Sequence, residues 1–146
     1  MIDKLTNKFE AMSPEAFLVA GLAGLILFIL LIVVTLKFAR RLRGDHFTRK
    51  WKSLQKKLPN RQGWRQAVVE ADDLLDDALR KNKIKGKTTG ERMVNAQKMF
   101  SDNDGVWYGH KLRRKIDKNP GYVPKKHEMK KALLGLRIGL KDIGAM

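Results

Sequence analysis

The sequence predicts an all-α protein, with an N-terminal transmembrane helix followed by a compact four- to five-helix bundle. Three observations lead to this class. One long uncharged run lies near the N-terminus, apolar residues elsewhere recur at helical spacing, and no alternating run bounded by turn residues indicates a strand. The length of 146 residues suits one domain with a short extension.

Residues 16–36 form a run without a charge. As a helix with a rise of about 1.5 Å per residue, this run can cross the roughly 30 Å hydrocarbon core of a bilayer. Ser13, Pro14 and Glu15 precede it as an N-cap hydroxyl, a first-turn proline and an acid at the positive helix end. We therefore assign residues 15–38 to a transmembrane helix.

A cleaved signal peptide is the alternative interpretation of this run. A signal peptide has a basic start, a shorter apolar core and a cleavage site flanked by small residues. Here the first 15 residues carry two lysines against three acids, and the apolar run is long and ends in a basic segment. An uncleaved anchor fits this pattern better.

The distribution of basic residues predicts the orientation of the anchor. Residues 37–57 hold nine lysines and arginines, whereas the N-terminal flank has two lysines. The positive-inside rule then places residues 1–14 outside as an extracytoplasmic tail and the rest of the chain in the cytoplasm, so we expect a single-pass protein of the inner membrane. The basic side chains that follow the anchor are expected to contact lipid head groups. They are Lys37, Arg40, Arg41 and Arg43.

A basic juxtamembrane helix is predicted within residues 39–62. We expect it to start after Gly44 with Asp45 as its N-cap and to end at Pro59. Its apolar residues fall at i, i+4, i+7 and i+11 and form one stripe. They are Phe47, Trp51, Leu54 and Leu58.

Residues 63–146 carry the remaining helical patterns and form the predicted cytoplasmic bundle. The second helix covers about residues 63–80, and a basic loop leads to a third helix with Thr88 and Glu91 as a capping box. The fourth and fifth helices are separated by a turn around Asn119 to Gly121. The fifth begins at Pro124, and Gly144 suits its C-terminal cap.

Composition favours an anionic partner and excludes several kinds of site. The chain has no cysteine, which excludes a disulfide framework, a thiolate zinc site and a cysteine nucleophile. Residues 37–146 hold 29 basic and 12 acidic residues, a net charge of +17. Such an excess is typical of domains that bind nucleic acid, anionic lipid or acidic proteins.

Two basic clusters within the predicted bundle are candidates for binding a polyanion. The first follows the second helix and comprises Arg80, Lys81, Lys83, Lys85 and Lys87. The second lies on the fourth helix and comprises Lys111, Arg113, Arg114, Lys115 and Lys118. RNA, DNA or an acidic protein would complement them. Ordinary solvated helix faces are the alternative interpretation.

Acidic residues cluster on the second helix, and we expect them to pair within the chain rather than hold a metal. They are Glu70, Asp72, Asp73, Asp76 and Asp77. Arg113, Arg114 or the basic first helix would be their partners. A metal site in a helical bundle would need histidines or further acids facing them, and no Glu-x-x-His pattern occurs.

The three histidines match no metal-ligand spacing. They are His46, His110 and His127. His110 falls beside the apolar stripe of the fourth helix, where a hydrogen-bonded, partly buried histidine is expected and a general base is the alternative. We therefore predict no catalytic residue, no metal and no cofactor.

Five aromatic residues lie on apolar stripes and are predicted to belong to the core. Base-stacking aromatics would need exposure, which these positions do not favour. They are Phe47, Trp51, Trp64, Phe100 and Trp107.

Residues 51–144 resemble a group of single-pass membrane proteins of unassigned function from bacteria of the candidate phyla radiation. The matching pieces are Trp64 followed by AVVEADDLLDDAL, the loop KIKGKTTGERM, VWYGHKLRRKID and the C-terminal ALLGLRIGLKDIGAM. The fourth-helix motif of that group is similar to the Arg-Asn-x-x-x-His signature of HEPN domains. These are all-α bundles that include metal-independent ribonucleases and non-catalytic binding versions.

The HEPN-like signature is incomplete in this chain. Arg113 matches the arginine, Arg114 stands in place of the asparagine, and Lys118 stands in place of the histidine. A lysine with an ordinary pKa of about 10.4 is a poor general base. The resemblance therefore implies a degenerate, non-catalytic module that binds RNA or an acidic protein. A ribonuclease that uses Arg113 with His110 is the alternative.

A structural role as a homo-oligomer is the third hypothesis. Ala16, Ala20 and Gly24 recur every four residues, a small-residue face on which two anchors can pack as a homodimer. HEPN domains often form dimers, so the resemblance implies the same assembly. The ordinary glycine and alanine content of membrane helices explains the pattern more simply.

Overall fold

The computed structural model describes residues 14–146, apart from the side chains of residues 14 and 39–45, and this range contains helices and no strand. The predicted all-α class is therefore confirmed for the described residues. Five α-helices and one short 3₁₀ helix follow one another. They are α1 Pro14–Gln55, α2 Arg61–Lys81, α3 Thr89–Ala96, the 3₁₀ helix Gln97–Met99, α4 Asn103–Lys118 and α5 Lys126–Asp142.

The chain divides into two compact units, of which the first ends at Arg41 and the second is Leu42–Met146. Within the first unit, Glu15–Phe38 is a helical stretch of 24 residues with a mean hydropathy of 3.2 and no buried residue. Its length and composition suffice to cross a membrane. Pro14, the last residue of the predicted tail 1–14, is the first residue of α1, and the rest of the tail, with the Ser13 cap, lies outside the described residues.

Helix α1 runs through Gly44 and Asp45 without interruption, so the prediction of a separate helix capped by Asp45 is wrong. A glycine inside a helix costs only about 1 kcal/mol, and the residues that follow it gain more by packing. Phe47, Trp51 and Leu54 are each no more than 3% exposed. The predicted juxtamembrane segment 39–62 thus supplies core residues to the second unit from Phe47 onward.

Helix α2 ends on a residue in the left-handed conformation. Lys83 has a φ of 59°, and the Ile84 N–H donates to the Leu79 carbonyl at 3.0 Å. This is the Schellman pattern, which glycine usually completes because a Cβ in this conformation costs about 1–2 kcal/mol. The left-handed backbone conformation of Lys83 therefore costs free energy, which the rest of the fold offsets.

The later helices carry caps, of which those at Thr88 and Gly144 are predicted above. The Thr88 hydroxyl accepts a hydrogen bond from the Glu91 N–H at 3.2 Å, and the Asp102 carboxylate accepts one from the Gly105 N–H at 2.9 Å. Gly144, with a φ of 68°, ends α5 as predicted. These caps depend on residues three or four positions apart, which is why the sequence reveals them.

Helix α5 begins at Lys126, two residues after Pro124, and Glu128 supplies the hydrogen bonds at its start. Its Oε2 accepts from the Lys125 N–H and from the Tyr122 O–H, both at 2.7 Å. These hydrogen bonds lower the pKa of Glu128, the backbone bond having the larger effect. The ionised carboxylate therefore stabilises the start of α5.

Glycines allow α4 and α5 to pack backbone against backbone. A Cβ added at Gly135 would collide with the backbone of Gly105, and one at Gly109 would lie 2.6 Å from the Leu136 Cγ. One at Gly139 would lie 2.9 Å from a Val106 methyl group. Each helix carries two glycines four residues apart, but this spacing alone does not predict the crossing.

One hydrophobic core lies between the helices of the second unit. Phe47, Trp51 and Phe100 belong to it, and Trp64 and Trp107 are partly buried against it. The prediction that the aromatic residues serve the core is therefore confirmed.

Candidate polyanion interface

The acidic row of α2 faces basic side chains of neighbouring segments, as predicted. Glu70 forms an ion pair with Lys57, just after α1, and Asp77 lies 3.8 Å from Lys50 within α1. The basic first helix and the turn after it therefore neutralise two of the five acids.

Asp72 is the centre of a network between α2 and α4. It is fully buried, and the His110 Nδ1 lies 3.0 Å from both of its carboxylate oxygens. The Arg113 guanidinium lies 3.6 Å from Asp72, 3.2 Å from Asp73 and 2.8 Å from Asp117. Burial raises the pKa of Asp73, and Arg113 opposes this shift. Because Arg113 neutralises acids inside the fold, little of its charge is left for an external polyanion.

Asp76 holds a second network, which the sequence analysis missed. Arg92 is only 5% exposed and approaches one Asp76 oxygen at 2.6–2.7 Å, while Arg80 donates to the other oxygen at 2.8 Å. Arg92 also donates to the Gly86 carbonyl. The available signal was its place beside Met93 on the inner side of α3, where an arginine needs a buried carboxylate.

The loop between α2 and α3 is fixed through its backbone. The Asn95 amide donates to the Lys85 carbonyl at 2.8 Å, and the Glu91 carboxylate accepts from the Lys87 N–H at 2.7 Å. Gly86 has a φ of 150°, and a Cβ there would lie 2.7 Å from the Arg92 nitrogen. The loop conformation therefore does not depend on its lysine side chains.

Three lysine side chains of this loop and that of the last residue of α2 are exposed, and within the described part of the chain none lies within 4.0 Å of a carboxylate. They are Lys81, Lys83, Lys85 and Lys87, which we call the loop lysines. Lys81 lies 4.9 Å from the centre of the Phe47 ring, a cation–π distance. The loop therefore presents an uncompensated positive charge on a fixed backbone.

Helix α4 exposes a second basic face. Lys111, Arg114 and Lys118 are three and four residues apart, are exposed, and have no ion pair among the described residues. Lys115 instead donates to the Tyr122 hydroxyl at 3.0 Å, a hydrogen bond that raises the pKa of Lys115. Of the ten predicted residues, seven are thus uncompensated, whereas Arg80, Arg113 and Lys115 are engaged within the fold.

The first turn of α3 meets α4 at His110. A Cβ added at Gly90, in the first turn of α3, would lie 3.8 Å from the His110 Nε2. Lys87 lies three residues before Gly90, and Lys111 follows His110. Each basic cluster therefore has one member close in sequence to this contact.

The other predicted site residues are the four basic side chains expected to contact lipid head groups. Lys37 is exposed, whereas the side chains of Arg40, Arg41 and Arg43 lie outside the described residues. Among the described residues no group of three or more histidine, aspartate or glutamate side chains is arranged to hold a metal ion.

Comparison with known proteins finds no matching family model, no similar curated protein and no similar solved structure. The resemblance to HEPN domains stays a prediction.

Proposed function

We propose that this protein is a membrane-anchored helical module that binds a polyanion, foremost RNA, at the inner face of the membrane without cleaving it. The observation that carries the proposal is the internal use of the acids of α2. Because Asp72 and Asp76 are paired inside the bundle and the exposed Asp73 is paired with Arg113, these acids do not offset the loop lysines or the basic face of α4. Charge of one sign on a fixed surface attracts a polyanion.

RNA is preferred over an acidic protein because the seven uncompensated basic side chains are exposed, and phosphate contacts need charge rather than an apolar anchor. Protein interfaces usually rely on a buried aromatic or aliphatic centre, and phosphate contacts do not need one. Tyr108 is covered by Lys131 at 4.6 Å from its ring centre, and Trp107 is partly buried. Binding would therefore be driven by phosphate contacts and would depend little on base sequence.

RNA binding is best measured with the full-length protein in phosphatidylcholine nanodiscs, using the fluorescence anisotropy of a labelled 20-nucleotide RNA. Changing all four loop lysines to glutamine is expected to weaken binding at least tenfold. The matched control changes four exposed lysines at or near α5, Lys125, Lys126, Lys130 and Lys141, to glutamine. Absence of RNA binding, or equal weakening by both variants, contradicts the proposal. Binding of polyglutamate but not RNA would point to an acidic protein instead.

The orientation is supported by the apolar stretch Glu15–Phe38 and by the basic residues that follow it. The chain lacks cysteine, so a single introduced cysteine reports its own side of the membrane. We expect Lys98→Cys to resist a membrane-impermeant maleimide in intact cells and to react after lysis. A cysteine in place of Thr6 should react in intact cells. Labelling of Lys98→Cys in intact cells would place the module outside and contradict the proposal.

A metal-independent ribonuclease is the second candidate, and the Asp72–His110 contact favours it. A buried carboxylate that orients a histidine is the arrangement of a general base. The His110 side chain, however, is only 9% exposed, and Arg113 is occupied by three acids. We expect labelled RNA to stay intact in a chelating buffer. Cleavage that His110→Ala abolishes would replace the binding proposal with the catalytic one.

A further inference from the structure

An apolar groove lies on the second unit, and none of the residues of the two basic clusters lines it. Its volume is about 290 Å³, and it runs between the end of α1, the start of α2 and α5. The apolar lining residues are Trp51, Leu58, Trp64, Met129, Leu133 and Leu134. Leu134 is 60% exposed, so this apolar surface reaches solvent.

The edge of this groove is basic and carries no acid. Lys126, Lys130 and Arg137 line it, all three are exposed, and none has an ion pair among the described residues. The two acids of α5 are directed elsewhere. Glu128 binds Tyr122 and the Lys125 backbone, and Asp142 accepts from Ser101 at 2.7–2.8 Å.

One buried hydrogen-bond donor at the groove is unused. Trp51 lines the groove and is 3% exposed, and its indole Nε1 has no hydrogen-bond partner within residues 14–146. The neighbouring Trp64 Nε1 instead donates to the Leu58 carbonyl at 2.7 Å. A buried donor without a partner is rare in folded proteins.

We propose that this groove binds a single-chain anionic lipid, with its alkyl chain along the apolar lining and its acidic head group at Lys126, Lys130 and Arg137. The volume is at the lower end of the roughly 300–1,000 Å³ typical of small-molecule sites, which suits one alkyl chain better than a protein helix. The charges at the edge complement an acid head group. The stretch that is apolar enough to cross a membrane ends at Phe38, with 12 residues between it and Trp51 along the chain.

Quenching of tryptophan fluorescence by 12-bromododecanoate tests this proposal, because bromine quenches only at short range. All three tryptophans lie in the second unit, at positions 51, 64 and 107. Full-length protein with Trp107→Phe, in phosphatidylcholine nanodiscs, leaves the two groove tryptophans as reporters. We expect saturable quenching by the acid and only weak, linear quenching by 12-bromododecanol.

Two charge variants distinguish specific binding from general attraction. Changing Lys126, Lys130 and Arg137 together to glutamine is expected to weaken the saturable quenching at least tenfold, with an unchanged circular dichroism spectrum. The matched control changes Lys83, Lys85 and Lys87 to glutamine and should leave the quenching unchanged. Equal quenching by acid and alcohol, or equal loss in both variants, would overturn the proposal. RNA binding involves the control residues and not the groove, so either proposal can fail without the other.

Discussion

The His110 Nδ1 lies 3.0 Å from both carboxylate oxygens of Asp72, 38 residues earlier in the chain, and joins α4 to α2. Arg113 reaches the same carboxylate at 3.6 Å. This network neutralises acidic residues inside the bundle and so leaves the basic clusters outside uncompensated. The stability of the fold and the charge of its surface are therefore linked through Asp72.

Replacing Asp72 with alanine is expected to lower the free energy of unfolding by about 3–5 kcal/mol, since removing one partner of a buried charged pair leaves the other uncompensated. Urea unfolding followed by tryptophan fluorescence measures this loss. Asp77→Ala is the matched control, because its pair with Lys50 spans 3.8 Å and is half exposed. That exposed pair should contribute no more than about 1 kcal/mol. Equal losses in the two variants would mean that the Asp72 network does not stabilise the fold.

Replacing Gly135 with alanine is expected to destabilise the bundle by about 1–3 kcal/mol or more. The added methyl group would meet the backbone of Gly105, which cannot move aside as a flexible side chain can. Gly90→Ala is the control, since the nearest atom to its Cβ would be 3.8 Å away and alanine favours a helix. Thermal unfolding monitored by circular dichroism compares them. A melting temperature of Gly135→Ala equal to that of wild type would contradict the close crossing of α4 and α5.

Glu128 should make the stability of the bundle depend on pH. Its pKa is lowered in the folded state, so its contribution is fully present above its unfolded pKa and is lost as the pH falls through the folded value. Glu128→Gln should cost about 1 kcal/mol at pH 7, typical of a lost N-terminal cap. The difference from wild type should narrow as the pH falls below about 4.3, the ordinary pKa of a glutamate. A difference that stays constant down to pH 3 would exclude this role.

Replacing Lys83 with glycine should stabilise the bundle while weakening RNA binding. Glycine removes the cost of about 1 kcal/mol that a side chain incurs in the left-handed conformation, and the charge is lost with the side chain. Lys85→Gly also removes one positive charge. Lys85 does not have a positive φ, so this change relieves no left-handed conformation. Urea unfolding and RNA anisotropy on both variants separate the two effects. If Lys83→Gly is no more stable than Lys85→Gly, the inference that the C-terminus of α2 is strained is wrong.

Features set by neighbouring residues were predictable from the sequence. The apolar stripe from Phe47 to Leu54, the Thr88 cap and the Gly144 cap each depend on residues within about one or two helical turns. The start assigned at Asp45 was wrong because burial of the following residues outweighs the low helix propensity of Gly44. Helix propensity therefore predicts the start of a helix poorly where side-chain packing contributes more free energy.

Which residue pairs with each buried acid depends on the tertiary structure, so the sequence did not predict it. Periodicity indicated that the acids of α2 would pair within the chain, but it did not select His110 for Asp72 or Arg92 for Asp76. Nor did it reveal the crossing at Gly105 and Gly135, which depends on how two helices approach. The ten basic candidates could therefore be reduced to seven only once the internal pairs were known.

The salt dependence of RNA binding tests the central claim most directly. For single-stranded nucleic acid, the logarithm of the affinity falls with the logarithm of the salt concentration by about 0.7 for each phosphate neutralised. If the four loop lysines contact phosphates, replacing them with glutamine should make this slope shallower by roughly 3. A slope equal to that of the wild-type protein would contradict the claim that this loop binds the polyanion.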